Sequence, residues 1–156
     1  MDYTIIRVVK ENYALFDDMV FLRVNGRERT QEEKAEPRNF SEAYSALSDK
    51  NLRIYAAQVG ERFVGWVSAV YIPKVGIWGG KGHLFIDELW TAPAFRRHGI
   101  ANALMNEAER AAREIGAVGL RLYVNGDNPG ALALYTKCGY RDREDGVHFM
   151  DKEWGG

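Results

Sequence analysis

One cysteine, Cys138, is all the chain of 156 residues contains, so an internal disulfide is impossible and a reducing, cytoplasmic setting is expected. Histidine is nearly as scarce. His83, His98 and His148 are too scattered to suggest a metal site, and none is expected. No apolar run approaches the ~20 residues of a membrane span, and the opening "MDYTIIRVVK" lacks the long apolar stretch of a signal peptide. Charge of one sign is lacking too. Twenty-one Lys and Arg against 22 Asp and Glu give a net charge of −1, which disfavours a surface that tracks nucleic-acid phosphates. Repeats and low-complexity tracts are absent. What remains, at 46% hydrophobic and 28% charged residues, is the composition of one globular domain spanning 1–156.

Hydrophobic periodicity then orders the elements. "YTIIRVV" is β-branched and reads as a strand. Leu15, Phe16, Met19 and Leu22 recur at helical spacing. "RVNGRERTQEEKAEPR" is expected to be a mobile polar connection with part of a helix in it, and "NFSEAYSAL" follows as a short helix capped by Asn39 or Ser41. "RIYAAQV" and "RFVGWVSAVY" flank the hairpin signal Gly60–Glu61, and "HLFIDELWT" is a third strand ending at Pro93. A long helix carries Ile100, Ala101, Leu104, Met105, Ala108, Ala112 and Ile115 on one stripe and stops at Gly116. "VGLRLYV" is a strand, and Asn128–Pro129 caps and opens a last helix ending at Gly139. "YRDRE" and "VHFMDKEW" are expected to close the chain as two short strands. The order β-α-α-β-β-β-α-β-α-β-β predicts an α/β (α+β) fold, with one mixed, mostly antiparallel sheet and helices on both faces.

The long helix begins oddly. "APAFRRHGIANALM" puts Arg96, Arg97, His98 and Gly99 where its first turn should form, although glycine costs a helix ~1 kcal/mol relative to alanine. A helix N-terminus offers unpaired N–H groups and a positive dipole end. Glycine there admits a ligand to the backbone, and the neighbouring cations add potential. These residues predict an anion site suited to a diphosphate. Neither the G-x-G-x-x-G nor the G-x-x-x-x-G-K-[ST] pattern is present, so dinucleotide and P-loop readings have no specific support.

"RRHGIA" resembles the R/Q-x-x-G-x-G/A signature of the GCN5-related N-acetyltransferase (GNAT) superfamily. "DELWTAPAF" before it resembles that family's D/E-L-x-V-x-P-x-Y segment, and "NPGALALYTKCGY" resembles N-x-x-A-x-x-L-Y-x-K-x-G-F/Y. Ala101 stands for the commoner second glycine, Thr91 for an aliphatic residue, and His98 where lysine or glycine is common. The resemblance implies transfer of an acetyl group from acetyl-CoA to a primary amine in a direct ternary complex, without a metal. It implies that Leu89, Trp90 and Thr91 pair their backbone with the pantetheine arm, along a strand that splays from the one holding Leu122 to Val124. It assigns Arg96, Arg97, His98, Gly99, Ile100, Ala101 and Asn102 to the pyrophosphate cradle, and Asn128, Ala131 and Tyr135 to further coenzyme contacts. An alternative on the same fold is a non-catalytic acyl-CoA sensor.

Tyr135 matches the family tyrosine whose hydroxyl faces the thioester sulfur; packing on an amphipathic helix is its other reading. An alkyl amine has a pKa near ~10, so at neutral pH a base must take a proton. Glu88, at the D/E position of the family segment, is the candidate, with Asp87 or a water chain as alternatives. Adjacent strand residues face opposite ways, so without a bulge only one of the two carboxylates meets the substrate. Cys138 reads as packing, and Asp17 and Asp18 as a solvated helix face rather than a lure for a cationic substrate. The loop Ile72 to Gly82 is open between acceptor lid, homodimer contact and plain hairpin loop. The acceptor itself, small amine or protein N-terminus, is not legible.

Overall fold

Five strands, β1 (Thr4–Arg7), β2 (Leu52–Val59), β3 (Arg62–Ile72), β4 (His83–Thr91) and β5 (Gly119–Leu122), form one sheet in sequence order in a computed structural model that describes residues 1–143 and 146–155. Neighbours are antiparallel except β4 and β5, which run parallel. A parallel pair needs a crossover, and the helix α4 (Ile100–Ile115) supplies it. The mostly antiparallel sheet therefore agrees with the expectation.

Helices cover both of its faces. Ahead of β2 lie α1 (Tyr13–Asn25), α2 (Gln31–Ala35) and α3 (Ser41–Leu47). Phe16 of α1 meets Trp66 of β3 edge to face, with ring centroids 5.3 Å apart, within a cluster that includes Val8, Met19, Ala56 and Phe63. The adjacent residue, Gly65, points the other way, and a Cβ there would lie 3.4 Å from Ile100 of α4. α4 buries Ile100, Leu104, Met105, Ala108, Ala111 and Ala112. Truncating Leu104, which is fully buried, to alanine costs ~2–5 kcal/mol by the usual scale for such sites. Gly26 and Gly116 end α1 and α4 in the left-handed region, as helix-stopping glycines do.

The polar connection after α1 is more ordered than its composition implied. Thr30 Oγ1 accepts from Glu33 N at 3.1 Å and Glu33 Oε1 accepts from Thr30 N at 3.0 Å, a capping box that starts α2. Arg29 and Arg38 each bridge Asp17 and Asp18 of α1 at 2.7–2.8 Å. These aspartates are therefore neither a solvated face nor a free cation lure; they anchor the connection.

The sheet, α1, α2, α3 and α4 belong to one unit, Met1–Leu122; a second unit begins at Tyr123. In the second unit α5 (Pro129–Lys137) is the regular element. The two expected closing strands are not formed among its described residues; Glu144 of "YRDRE" and the following Asp145 lie outside them. The charged "YRDRE" has little strand propensity, and without a partner to pair with, "VHFMDKEW" forms no ladder among the described residues.

Candidate active site

β4 ends at Thr91, a short 3₁₀ turn follows at Pro93–Phe95, and the chain enters α4 through Arg96, Arg97, His98 and Gly99. Two of these residues are left-handed: Gly99 at φ +80° and, unusually for a residue with a side chain, Arg97 at φ +64°. Glycine at 99 is favoured by this backbone conformation rather than by crowding, since a Cβ there would meet only Tyr3 Oη at 3.7 Å. The start of α4 has no side-chain cap and no acidic residue in its first turn, which leaves the amides of Ile100 and Ala101 without an acceptor among the described residues. An uncapped helix start beside exposed Arg96, Arg97 and His98 attracts anions.

The cations are not equivalent. Arg96 Nε donates to Thr91 O at 3.0 Å and fastens the turn to the end of β4. His98 Nδ1 lies 2.8 Å from Arg96 O and 3.3 Å from Phe95 O. Carbonyls only accept, so Nδ1 carries a proton there. Arg97 makes no hydrogen bond or ion pair among the described residues. Its guanidinium is the one in this turn with no internal task.

β4 pairs with β5 only from His83 to Ile86, opposite Gly119 to Leu122. From Glu88 to Thr91 the strand is paired on its β3 side alone among the described residues, as a strand open to an added extended chain is. A register shift marks the same place: Ser68 faces Glu88 and Ala69 faces Ile86, so Asp87 is an extra, bulged residue. The bulge is the feature on which the alternation argument depended. Asp87 and Glu88 are both exposed.

Glu88 is not solitary. Arg23 Nη1 of α1 donates to Glu88 Oε2 at 3.0 Å, and its guanidinium lies 5.1 Å from the Trp66 ring centroid and 5.9 Å from that of Trp90. Oε1 of Glu88 has no hydrogen bond among the described residues. Sequence reasoning missed Arg23 and Trp66, because a partner 65 residues away leaves no local signal. Gly65 was missed as well. A Cβ on it would lie 2.9 Å from Trp90 O, so glycine there lets β3 approach β4 closely.

In the second unit, Asn128 Oδ1 accepts from Ala131 N at 3.1 Å, with Pro129 in the first turn, so the expected cap of α5 is formed. Tyr135 is half-buried, its ring centroid 5.9 Å from that of Tyr140. Burial, and to a lesser extent Cys138 nearby, push its phenol above the ordinary tyrosine value. The hydroxyl is thereby kept protonated, a donor rather than an anion. Cys138 caps α5 at its C-terminal end, and among the described residues no cluster of His, Cys, Asp and Glu could hold a metal.

The family model described as "Acetyltransferase (GNAT) family" matches residues 16–140. Thialysine N-epsilon-acetyltransferase of Caenorhabditis elegans is 31% identical over 94 residues, covering 60% of this chain and 57% of that protein. An aminoglycoside acetyltransferase from an uncultured soil metagenomic sample superimposes with a TM-score of 0.78 at 21% identity, over 98% of this chain and 99% of its own. AAC(6')-Iy, solved with a bisubstrate analog containing coenzyme A, gives 0.74 at 14% identity, over 97% and 99%. The chain spans from about a quarter to 57% of the length of the curated relatives it matches. A family match over most of the sequence, on a fold shared at full length, makes the conclusion plain: this chain belongs to the GNAT acetyltransferase family.

Proposed function

We propose that this protein is an N-acetyltransferase that moves an acetyl group from acetyl-CoA to a primary amine by direct transfer, its two units acting as one domain. The observation that carries the reading is the β4–α4 junction, where a strand open along one side runs into an uncapped helix start flanked by arginines. Acetyl-CoA would bring the thioester and a pyrophosphate to this junction. The amides of Ile100 and Ala101, with Arg97, suit the pyrophosphate; the backbone of Leu89, like that of Thr91, suits an extended arm, whereas Trp90 O faces Gly65 of β3. Thr91 O accepts from Arg96 and keeps a second lone pair for the arm.

The remaining roles rest on motif position. Glu88 takes the amine proton through Oε1, the oxygen Arg23 leaves open. Tyr135 donates a hydrogen bond to the departing sulfur, the role a phenol kept neutral by burial suits. Amines are acceptors in the names of the thialysine and aminoglycoside enzymes, which supports an amine here without choosing one. A sensor without turnover has one observation in its favour, that the candidate base is engaged by Arg23. Thiol release from acetyl-CoA over a panel of amines, beside calorimetry with coenzyme A, separates the two. Release with one or more amines is expected, whereas tight coenzyme binding with no release for any acceptor would establish the sensor.

A further inference from the structure

The face of the sheet under α1 carries a second arrangement beside Glu88. Trp66 and Ser68 of β3 stand directly opposite Trp90 and Glu88 of β4, and residues two apart on a strand share a face. The Arg23 guanidinium lies among them, against both indole rings and hydrogen-bonded to the carboxylate. A carboxylate with two indole rings is a site for an organic cation, and here the chain fills it with its own.

Two features show that the occupant can leave. The Arg23 and Glu88 side chains are 41% and 47% exposed, so theirs is a surface pair of small net strength. On the same two strands, Trp66 Nε1 and Ser68 Oγ are buried without hydrogen-bond partners among the described residues, in residues only 2% and 7% exposed. Buried polar atoms are normally paired. The guanidinium therefore does not complete this site: the Ser68 oxygen can accept from an ammonium, and the Trp66 indole N–H can donate to an oxygen beside it. With Arg23 swung away, exposed Asp87 and Glu88 leave the local charge negative.

We propose that Glu88, Trp66, Trp90 and Ser68 form a binding site for the ammonium group of a small organic cation, and that Arg23 is its internal competitor, displaced as the ligand enters. The inference deepens the proposed amine acetylation, and rests on it only in identifying the ligand as the acceptor. Arg23 then sets specificity. A neutral molecule gains nothing by displacing it, whereas an alkylammonium replaces one cation by another.

The test uses the whole chain without coenzyme and n-hexylammonium chloride as the probe, with 1-hexanol as the neutral control at constant ionic strength. Indole N–H signals, assigned with Trp66→Phe and Trp90→Phe, are followed by NMR. Hexylammonium is expected to shift the Trp66 and Trp90 signals saturably, and hexanol is not. Arg23→Met keeps the aliphatic stem and removes the charge, and Arg23→Gln is a second variant should the first fold poorly. Either should bind the probe about 2- to 5-fold more tightly, the effect of removing one weak competing ion pair. Glu88→Gln should lose the binding. Equal or weaker binding in both Arg23 variants, an equal response to hexanol, or no saturable shift would overturn the proposal. Coenzyme binding and thiol release by the same protein would be untouched by that failure, and their own failure would leave the cation titration standing.

Discussion

Arg97→Gly should make the protein no less stable while weakening its grip on coenzyme A, and the opposition of the two readouts is what makes the variant informative. Arg97 sits at φ +64° and makes no hydrogen bond or ion pair among the described residues. Holding a non-glycine residue in the left-handed region costs ~1–2 kcal/mol. Glycine relieves that strain but gives back ~0.5–1 kcal/mol through the freedom it gains in the unfolded chain. The net effect is a gain of roughly 0–1.5 kcal/mol, about 0–6 °C in Tm for a chain of this size. Binding goes the other way. A hydrogen bond to a charged group contributes ~1.5–3 kcal/mol when sheltered, and solvent at an exposed arginine reduces that to ~1 kcal/mol. Calorimetry should then show Kd for coenzyme A rising by about 5- to 10-fold, with the gap narrowing as salt is added. An unchanged Kd would refute the cradle role of this guanidinium. A lowered Tm would refute the claim that it is strained and without internal partners. Gly99→Val, the more obvious probe, is less clean, because a β-branched residue at φ +80° is strained with or without ligand.

Glu88→Gln should lower turnover at neutral pH by about 10²-fold, with part of the loss recovered as pH rises and the amine deprotonates unaided; a mutant with the wild-type rate and pH profile would assign the proton to Asp87, bulged next to it, or to water. Tyr135→Phe should reduce kcat by roughly 10- to 1000-fold in single turnovers with coenzyme affinity nearly unchanged, and by less with a donor whose leaving thiol is more acidic. Because burial raises the Tyr135 pKa, its hydroxyl should remain a donor up to pH ~10, so no loss of rate below that pH should trace to its ionisation. Matching single-turnover rates for tyrosine and phenylalanine with both donors would make Tyr135 a packing residue.

What the sequence determined by itself is what short-range chemistry encodes. The apolar stripe of α4, the stop at Gly116, the hairpin at Gly60 and the Asn128–Pro129 start of α5 are each written within a few residues, and each is present in the structure. The uncapped, cation-flanked start of α4 was legible for the same reason: a glycine and three cationic or titratable side chains adjoin a helical stripe. The closing strands were not, since a strand exists only by pairing and "YRDRE" contributes charge without β propensity. Tertiary structure alone decided the rest. It spent Asp17 and Asp18 on Arg29 and Arg38, turned a polar connection into an anchored helix, and put a bulge at Asp87. It also brought Arg23 to Glu88 across 65 residues of chain. Charged side chains pair through space with whatever the fold carries to them, and no spacing in the sequence records which partner that is.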